Sequence, residues 1–137
     1  MKLVFADTWF FLALFSSKDQ GHQRAVRFLK KNRRPMLTTA RVITELADAL
    51  ASPVDKPLFL RARGFLFGNT RLEIVEAGRT VFENGLALYS SRLDKGWSLT
   101  DCISFDVMKQ RGVRDALTAD RHFEQAGFRA MLLPAKP

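Results

Sequence analysis

Four carboxylates in this chain stand where they could act together on a phosphodiester. Asp7 closes the apolar run Val4-Phe5-Ala6, and Asp120 closes Ala116-Leu117-Thr118-Ala119. Ligands of an open parallel sheet bind beyond the carboxyl ends of its strands, which is where both acids would sit. Taken singly, each also reads as a helix N-cap ahead of Trp9 or Phe123. Glu45 flanks the apolar stripe of Val42, Leu46 and Ala49, so its carboxylate needs either Arg41, one turn earlier, or a metal ion. Asp101 stands three residues after Ser98. That spacing suits a capping box, and the same first turn aims the acid outward beside the Ser98 and Thr100 hydroxyls. Asp48 and Asp106 read as solvated helix charges, Asp106 with Lys109 three residues on. Four acids in one cleft repel one another unless a cation neutralises them. Hard oxygen ligands select Mg²⁺ or Mn²⁺, whose chemistry with phosphates is hydrolysis by an activated water.

Other chemistries are excluded by what is missing. The chain has no G-x-G-x-x-G, no G-x-x-x-x-G-K-[ST], no H-E-x-x-H and no G-x-S-x-G. An Asp-x-Asp phosphatase start and a paired-acid phosphoacceptor start are also absent, because Asp7 is followed by Thr8-Trp9. A lone cysteine, Cys102, rules out an internal disulfide and a cysteine zinc cage. His22 and His122 are too few for a three-histidine zinc site, and each is expected at the surface near a helix start. With 22 Lys and Arg against 14 Asp and Glu, the net charge is +8, which points to a polyanionic partner, nucleic acid first. Lys30-Lys31-Asn32-Arg33-Arg34 is a candidate track for a phosphate backbone, or a solvated charge run.

The elements that must position these acids follow from apolar periodicity. The 137 residues, 47% apolar and 26% charged, suit one domain over residues 1–137. Strands are expected at Met1–Ala6, Met36–Thr39, Leu72–Val75, Ala116–Thr118 and Arg129–Leu133. Helices are expected at Trp9–Phe15, His22–Lys31, Ala40–Ala51, Leu58–Phe67, Thr80–Leu93 and Ser98–Gln110, with Pro53 and Pro57 bracketing a turn and Gly112 stopping the sixth. This alternation predicts an α/β layer fold with a central, mostly parallel sheet flanked by helices. No apolar run approaches the ~18 residues of a membrane span, and Asp7 interrupts the start before any signal-peptide core forms, so a cytoplasmic protein is expected.

At this point the chain resembles the PIN-domain ribonucleases, and within them the VapC-type toxins of toxin–antitoxin pairs. The resemblance rests on Phe5-Ala6-Asp7-Thr8, Val42-Ile43-Thr44-Glu45-Leu46, Ser98-Leu99-Thr100-Asp101-Cys102 and Ala116-Leu117-Thr118-Ala119-Asp120-Arg121-His122-Phe123, in that order over nearly the whole chain. It implies a PIN-like α/β/α sandwich and a Mg²⁺- or Mn²⁺-dependent endoribonuclease. Asp7, Glu45, Asp101 and Asp120 would be its metal-binding and catalytic acids, with Thr8 and Ser98 supporting them. Asp120 would act more indirectly, through water or by orienting the site. The resemblance also implies an RNA substrate, a homodimer and inhibition by a cognate antitoxin protein. The rival readings are a non-catalytic RNA- or protein-binding module of the same fold, and a nuclease acting on DNA.

Overall fold

The computed structural model describes residues 2–134. The chain runs β1 (Val4–Ala6), α1 (Thr8–Phe15), α2 (His22–Lys31), β2 (Met36–Thr39), α3 (Ala40–Ala49), α4 (Lys56–Gly68) and β3 (Leu72–Val75), then α5 (Arg79–Ser91), α6 (Leu99–Gln110), β4 (Asp115–Leu117), α7 (Arg121–Gln125) and β5 (Arg129–Ala130). The strands form one sheet in the order β3-β2-β1-β4-β5, with every neighbouring pair parallel. The register sets Phe5 beside Leu37 on one side and beside Ala116 on the other.

Every residue of β1 and β2 is buried. Side chains alternate between the two faces of a strand, so helices must cover both faces, giving the expected α/β/α sandwich. The core is aliphatic and aromatic, with Phe5, Phe10, Phe11, Leu37, Leu46 and Phe123 fully enclosed. α1 is apolar nearly all round and lies within this core, as its run from Trp9 to Phe15 predicts. Sequence order moves outward from β1 through β2 to β3, then crosses back to β4 and β5 on the other side of β1. The strand order therefore reverses between β1 and β4, and a crevice opens beyond their carboxyl ends.

Several boundaries differ from the sequence expectation. β1 begins at Val4, and Met1 lies outside the described residues. Pro57 sits inside the first turn of α4 rather than ahead of it, where its missing N–H costs no helix bond. The last strand ends at Ala130, because Met131 and Leu132 turn away while their amides still donate to Ala116 and Thr118 carbonyls. β4 spans Asp115–Leu117, one residue earlier than expected. The helix start read at Asp120 is realised as the one-turn helix α7. Of Val42, Leu46, Ala49 and Leu50, which periodicity places on one stripe, Ala49 is exposed and the other three are buried. Gly112 does end α6, with φ at +67°, a left-handed conformation that glycine adopts without strain.

Candidate active site

Beyond the carboxyl ends of β1 and β4 the four carboxylates come within electrostatic reach of one another, Asp7 sensing Asp101 and Glu45, and Asp101 sensing Asp120 and Glu45, although Asp7 and Glu45 stand outside the tightest group of ligand atoms. Asp7 directly follows β1 and is 5% exposed. It occupies the N-cap position of α1, but its side chain makes no capping bond. Its Oδ2 accepts a hydrogen bond from the Thr118 hydroxyl at 3.0 Å. Of the two readings open for Asp7, the structure therefore discards the capping one.

Asp120 follows β4 and does cap α7, its Oδ1 accepting the His122 backbone N–H at 2.9 Å. Its own N–H donates to the Thr118 hydroxyl oxygen at 3.0 Å. One fully buried hydroxyl thus ties the carboxyl ends of two adjacent strands together.

Glu45 arrives from α3. Thr39 caps that helix by accepting the Val42 N–H at 3.2 Å, and the Thr38 hydroxyl donates to the Ala6 carbonyl at 2.8 Å, binding the end of β2 to the end of β1. These bonds fix where α3 starts, and Glu45 falls in its second turn. The Thr8 hydroxyl donates to Glu45 Oε1. Arg41, the ion-pair alternative, lies over the Phe82 ring at 5.2 Å. The partner of Glu45 is therefore a hydroxyl 37 positions away rather than a cation one turn back.

Asp101 forms the anticipated capping box. Its N–H donates to Ser98 Oγ at 2.9 Å, and its Oδ2 accepts the Ser98 N–H at 3.1 Å. The box leaves carboxylate capacity free for the crevice, since a carboxylate accepts at about four lone-pair positions. Beneath it, Phe105 packs edge-on against Trp97 at 5.2 Å and Phe123 at 4.9 Å, locking α6 to α7.

His122 is the residue that sequence reasoning set aside. It is half-buried, not simply at the surface: its Nδ1 lies 3.4 Å from Asp101 Oδ2 and 3.3 Å from Asp120 Oδ1, enclosed and without a hydrogen bond. Ligand atoms of Asp101, Asp120 and His122 all lie within 4.8 Å of one another. Its signal in the sequence was position alone, two residues after a strand-ending acid. Thr118 was likewise read only as a strand residue. His22, by contrast, meets the Ala13 carbonyl at 2.8 Å and joins α2 to α1, away from the acids.

The electrostatics describe a cluster short of positive charge. Burial, then the neighbouring Asp101 carboxylate, raises the Asp7 pKa to about 7; Glu45 adds to the rise, and the Thr8 N–H and Thr118 hydroxyl oppose it. Asp101 is also raised, first by burial, with Asp120 and Glu45 pushing the same way and the Ser98 N–H and His122 imidazole opposing. Both shifts signal carboxylates whose charge lacks a counter-ion. A divalent cation fits this donor set, with the acids supplying oxygen ligands and the orphaned His122 nitrogen lying alongside.

Comparison with known proteins identifies the family and the fold. The family model described as the PIN domain matches residues 4–129. The chain superposes on VapC20 of Mycobacterium tuberculosis, described as a sarcin-ricin loop cleaving toxin, with a TM-score of 0.84 at 23% identity, covering 91% of this chain and 95% of that one. It superposes on FitAcB of Neisseria gonorrhoeae with a TM-score of 0.68 at 18% identity, covering 93% of this chain and 95% of that one. Identities this low establish a shared fold. No curated protein matches the sequence significantly.

Proposed function

Because this chain belongs to the PIN-domain family, we propose that it is a metal-dependent endoribonuclease, acting as one domain over residues 1–137 and serving as the toxin of a toxin–antitoxin pair. The observation that carries the reading is the approach of Asp7, Glu45, Asp101 and Asp120 at the strand-order reversal, with Asp7 raised by burial and by Asp101 and Glu45, and Asp101 raised by burial and by Asp120 and Glu45. Asp7, Glu45 and Asp101 would hold a Mg²⁺ or Mn²⁺ ion, with Asp120 beside them. Such an ion supplies an activated water and stabilises charge on the leaving oxygen of a phosphodiester.

The chain's own residues supply orientation. Thr118 holds Asp7, Thr8 holds Glu45, and the Ser98 box holds Asp101, so each acid enters the crevice with its rotamer set by a second group. The net charge of +8 favours a polyanionic substrate. The toxin assignment draws on the family resemblance and on the likeness to VapC20, described as a toxin, and with it come a cognate antitoxin, a homodimer and a cytoplasmic location. Among the described residues no helix is long and apolar enough to cross a membrane.

Incubation of total cellular RNA with the protein and Mg²⁺ or Mn²⁺, against EDTA and against Asp7→Asn, tests the activity. Discrete fragments that require both the cation and Asp7 are expected. Equal cutting by Asp7→Asn would overturn the reading, and metal binding without cleavage of RNA would favour a binding module. Matched RNA and DNA oligonucleotides then separate a ribonuclease from a nuclease of DNA.

A further inference from the structure

The carboxylates gather at one edge of the sheet, and the opposite edge carries the reverse charge. Because all neighbouring strands are parallel, all five begin at that opposite edge. A cation marks each beginning: Lys2 ahead of β1, Arg34 ahead of β2, Arg71 ahead of β3, Arg114 ahead of β4, and Arg129 opening β5. In spatial order they form a row across four inter-strand gaps, about 19 Å long at ~4.8 Å per gap.

A cleft of about 550 Å³ opens along this row, lined by Lys2, Arg34, Arg111, Arg114 and Arg129, with Asp115 its only acid. Asp115 is engaged by Arg34 at 2.9 Å, and Arg111 is held by both oxygens of Glu73 at 2.7 and 2.8 Å. Lys2, Arg114 and Arg129 are exposed and form no ion pair among the described residues. Arg34 is pinned by donating to the Lys2 and Leu3 carbonyls at 3.0 and 3.1 Å. It joins the cleft to the end of α2, where Lys30, Lys31 and Arg33 are also exposed.

We propose that this amino-terminal sheet edge is a second RNA-binding surface, which grips backbone phosphates of the substrate away from the cleavage centre. The proposal rests on RNA being the substrate. A single phosphate would engage only the three free cations of the cleft, whereas the row continues past it towards α2, which fits a polymer of regularly spaced phosphates. Guanidinium forks match phosphate oxygens, and no aromatic side chain lines the cleft to stack a base, so the grip is independent of sequence.

The test is fluorescence anisotropy of a labelled single-stranded RNA with the protein in EDTA, so that binding is read without hydrolysis. The double variant Arg114→Ser/Arg129→Ser should bind about tenfold more weakly, with its salt slope lowered by about 1.4, since each lost phosphate contact on a single strand removes ~0.7. Arg61→Ser/Arg63→Ser, on exposed positions of α4, should bind as the parent does. Unchanged affinity and slope in Arg114→Ser/Arg129→Ser, or an equal loss in Arg61→Ser/Arg63→Ser, would overturn the proposal. Displacement of RNA by inorganic phosphate at low concentration would replace it with a free-phosphate pocket, and equal competition by polyglutamate with an acidic-protein surface. Loss of cleavage alone leaves these readings of binding intact, so the nuclease assignment and the second surface fail separately.

Discussion

The Thr118 hydroxyl donates to Asp7 Oδ2 across 111 positions of sequence, and both groups are buried. A hydrogen bond to a carboxylate favours its charged form. Thr118 therefore acts against the burial and the Asp101 charge that raise Asp7, and it leaves the acid poised near neutrality.

Thr118→Val removes this donor while keeping a side chain of similar size. The Asp7 pKa should rise further, so protons compete more strongly with a cation at neutral pH. Mn²⁺ affinity at pH 7 should fall about tenfold, in line with a charged hydrogen bond worth roughly 1.5–3 kcal/mol, and should recover as pH is raised. Calorimetric titration against pH checks this, and unchanged affinity at pH 7 would contradict it.

In the cation-free protein, Asp7 titrates near 7 when folded, against 3.8 as its ordinary value. The folded state holds its proton more tightly, so this group erodes stability as pH rises from about 4 to 7 and adds no further slope above. Asp7→Asn should melt several degrees above the parent at pH 8 and close to it near pH 4. Added Mn²⁺ should raise the parent's melting temperature at pH 8 and leave that of Asp7→Asn nearly unchanged. Thermal unfolding by circular dichroism at the two pH values decides it.

His122 sets an unpartnered ring nitrogen beside Asp101 and Asp120, where it would add a nitrogen to the proposed set of oxygen ligands. Imidazole favours Mn²⁺ over Mg²⁺, so His122→Leu should narrow the preference between the two ions, by about tenfold if the ring acts on the bound cation. The start of α7 should survive, because Asp120 caps it through the backbone N–H of residue 122. Competition titrations with both ions measure the ratio, and an unaltered ratio would place the imidazole outside the metal's reach.

Gly85 of α5 faces α6 so closely that an added Cβ would lie 2.4 Å from Ile103 Cγ1 and 3.0 Å from Ile103 Cα. Gly85→Ala must displace α6 two residues beyond Asp101. The variant should lose about 1–3 kcal/mol to overpacking, outweighing the ~1 kcal/mol that alanine gains in a helix. Cleavage should fall with it. Gly64→Ala on α4, where a Cβ meets nothing within 4 Å, should be neutral or stabilising. Denaturant unfolding of the pair compares the two.

What the sequence by itself determined were features set by neighbours along the chain. The capping box of Ser98 and Asp101 is a three-residue spacing, the stop at Gly112 is a conformational preference, and the alternation of short apolar runs with amphipathic stretches is a matter of period. These suffice to announce a parallel α/β sheet and to put Asp7 and Asp120 at the ends of strands.

Only the tertiary structure decided what those acids touch. Nothing local distinguishes Asp7 as a free carboxylate from Asp120 as a cap; the difference arises because β4 pairs with β1 and delivers Thr118 to Asp7. In the same way, α3 turns Glu45 towards Thr8 rather than Arg41, and Phe123 enters the core and seats His122 between two acids. The physical reason is range: caps and periods act over a few residues, whereas burial and strand order bring distant groups into a low-dielectric crevice, where each charge is governed by whichever neighbours the fold supplies.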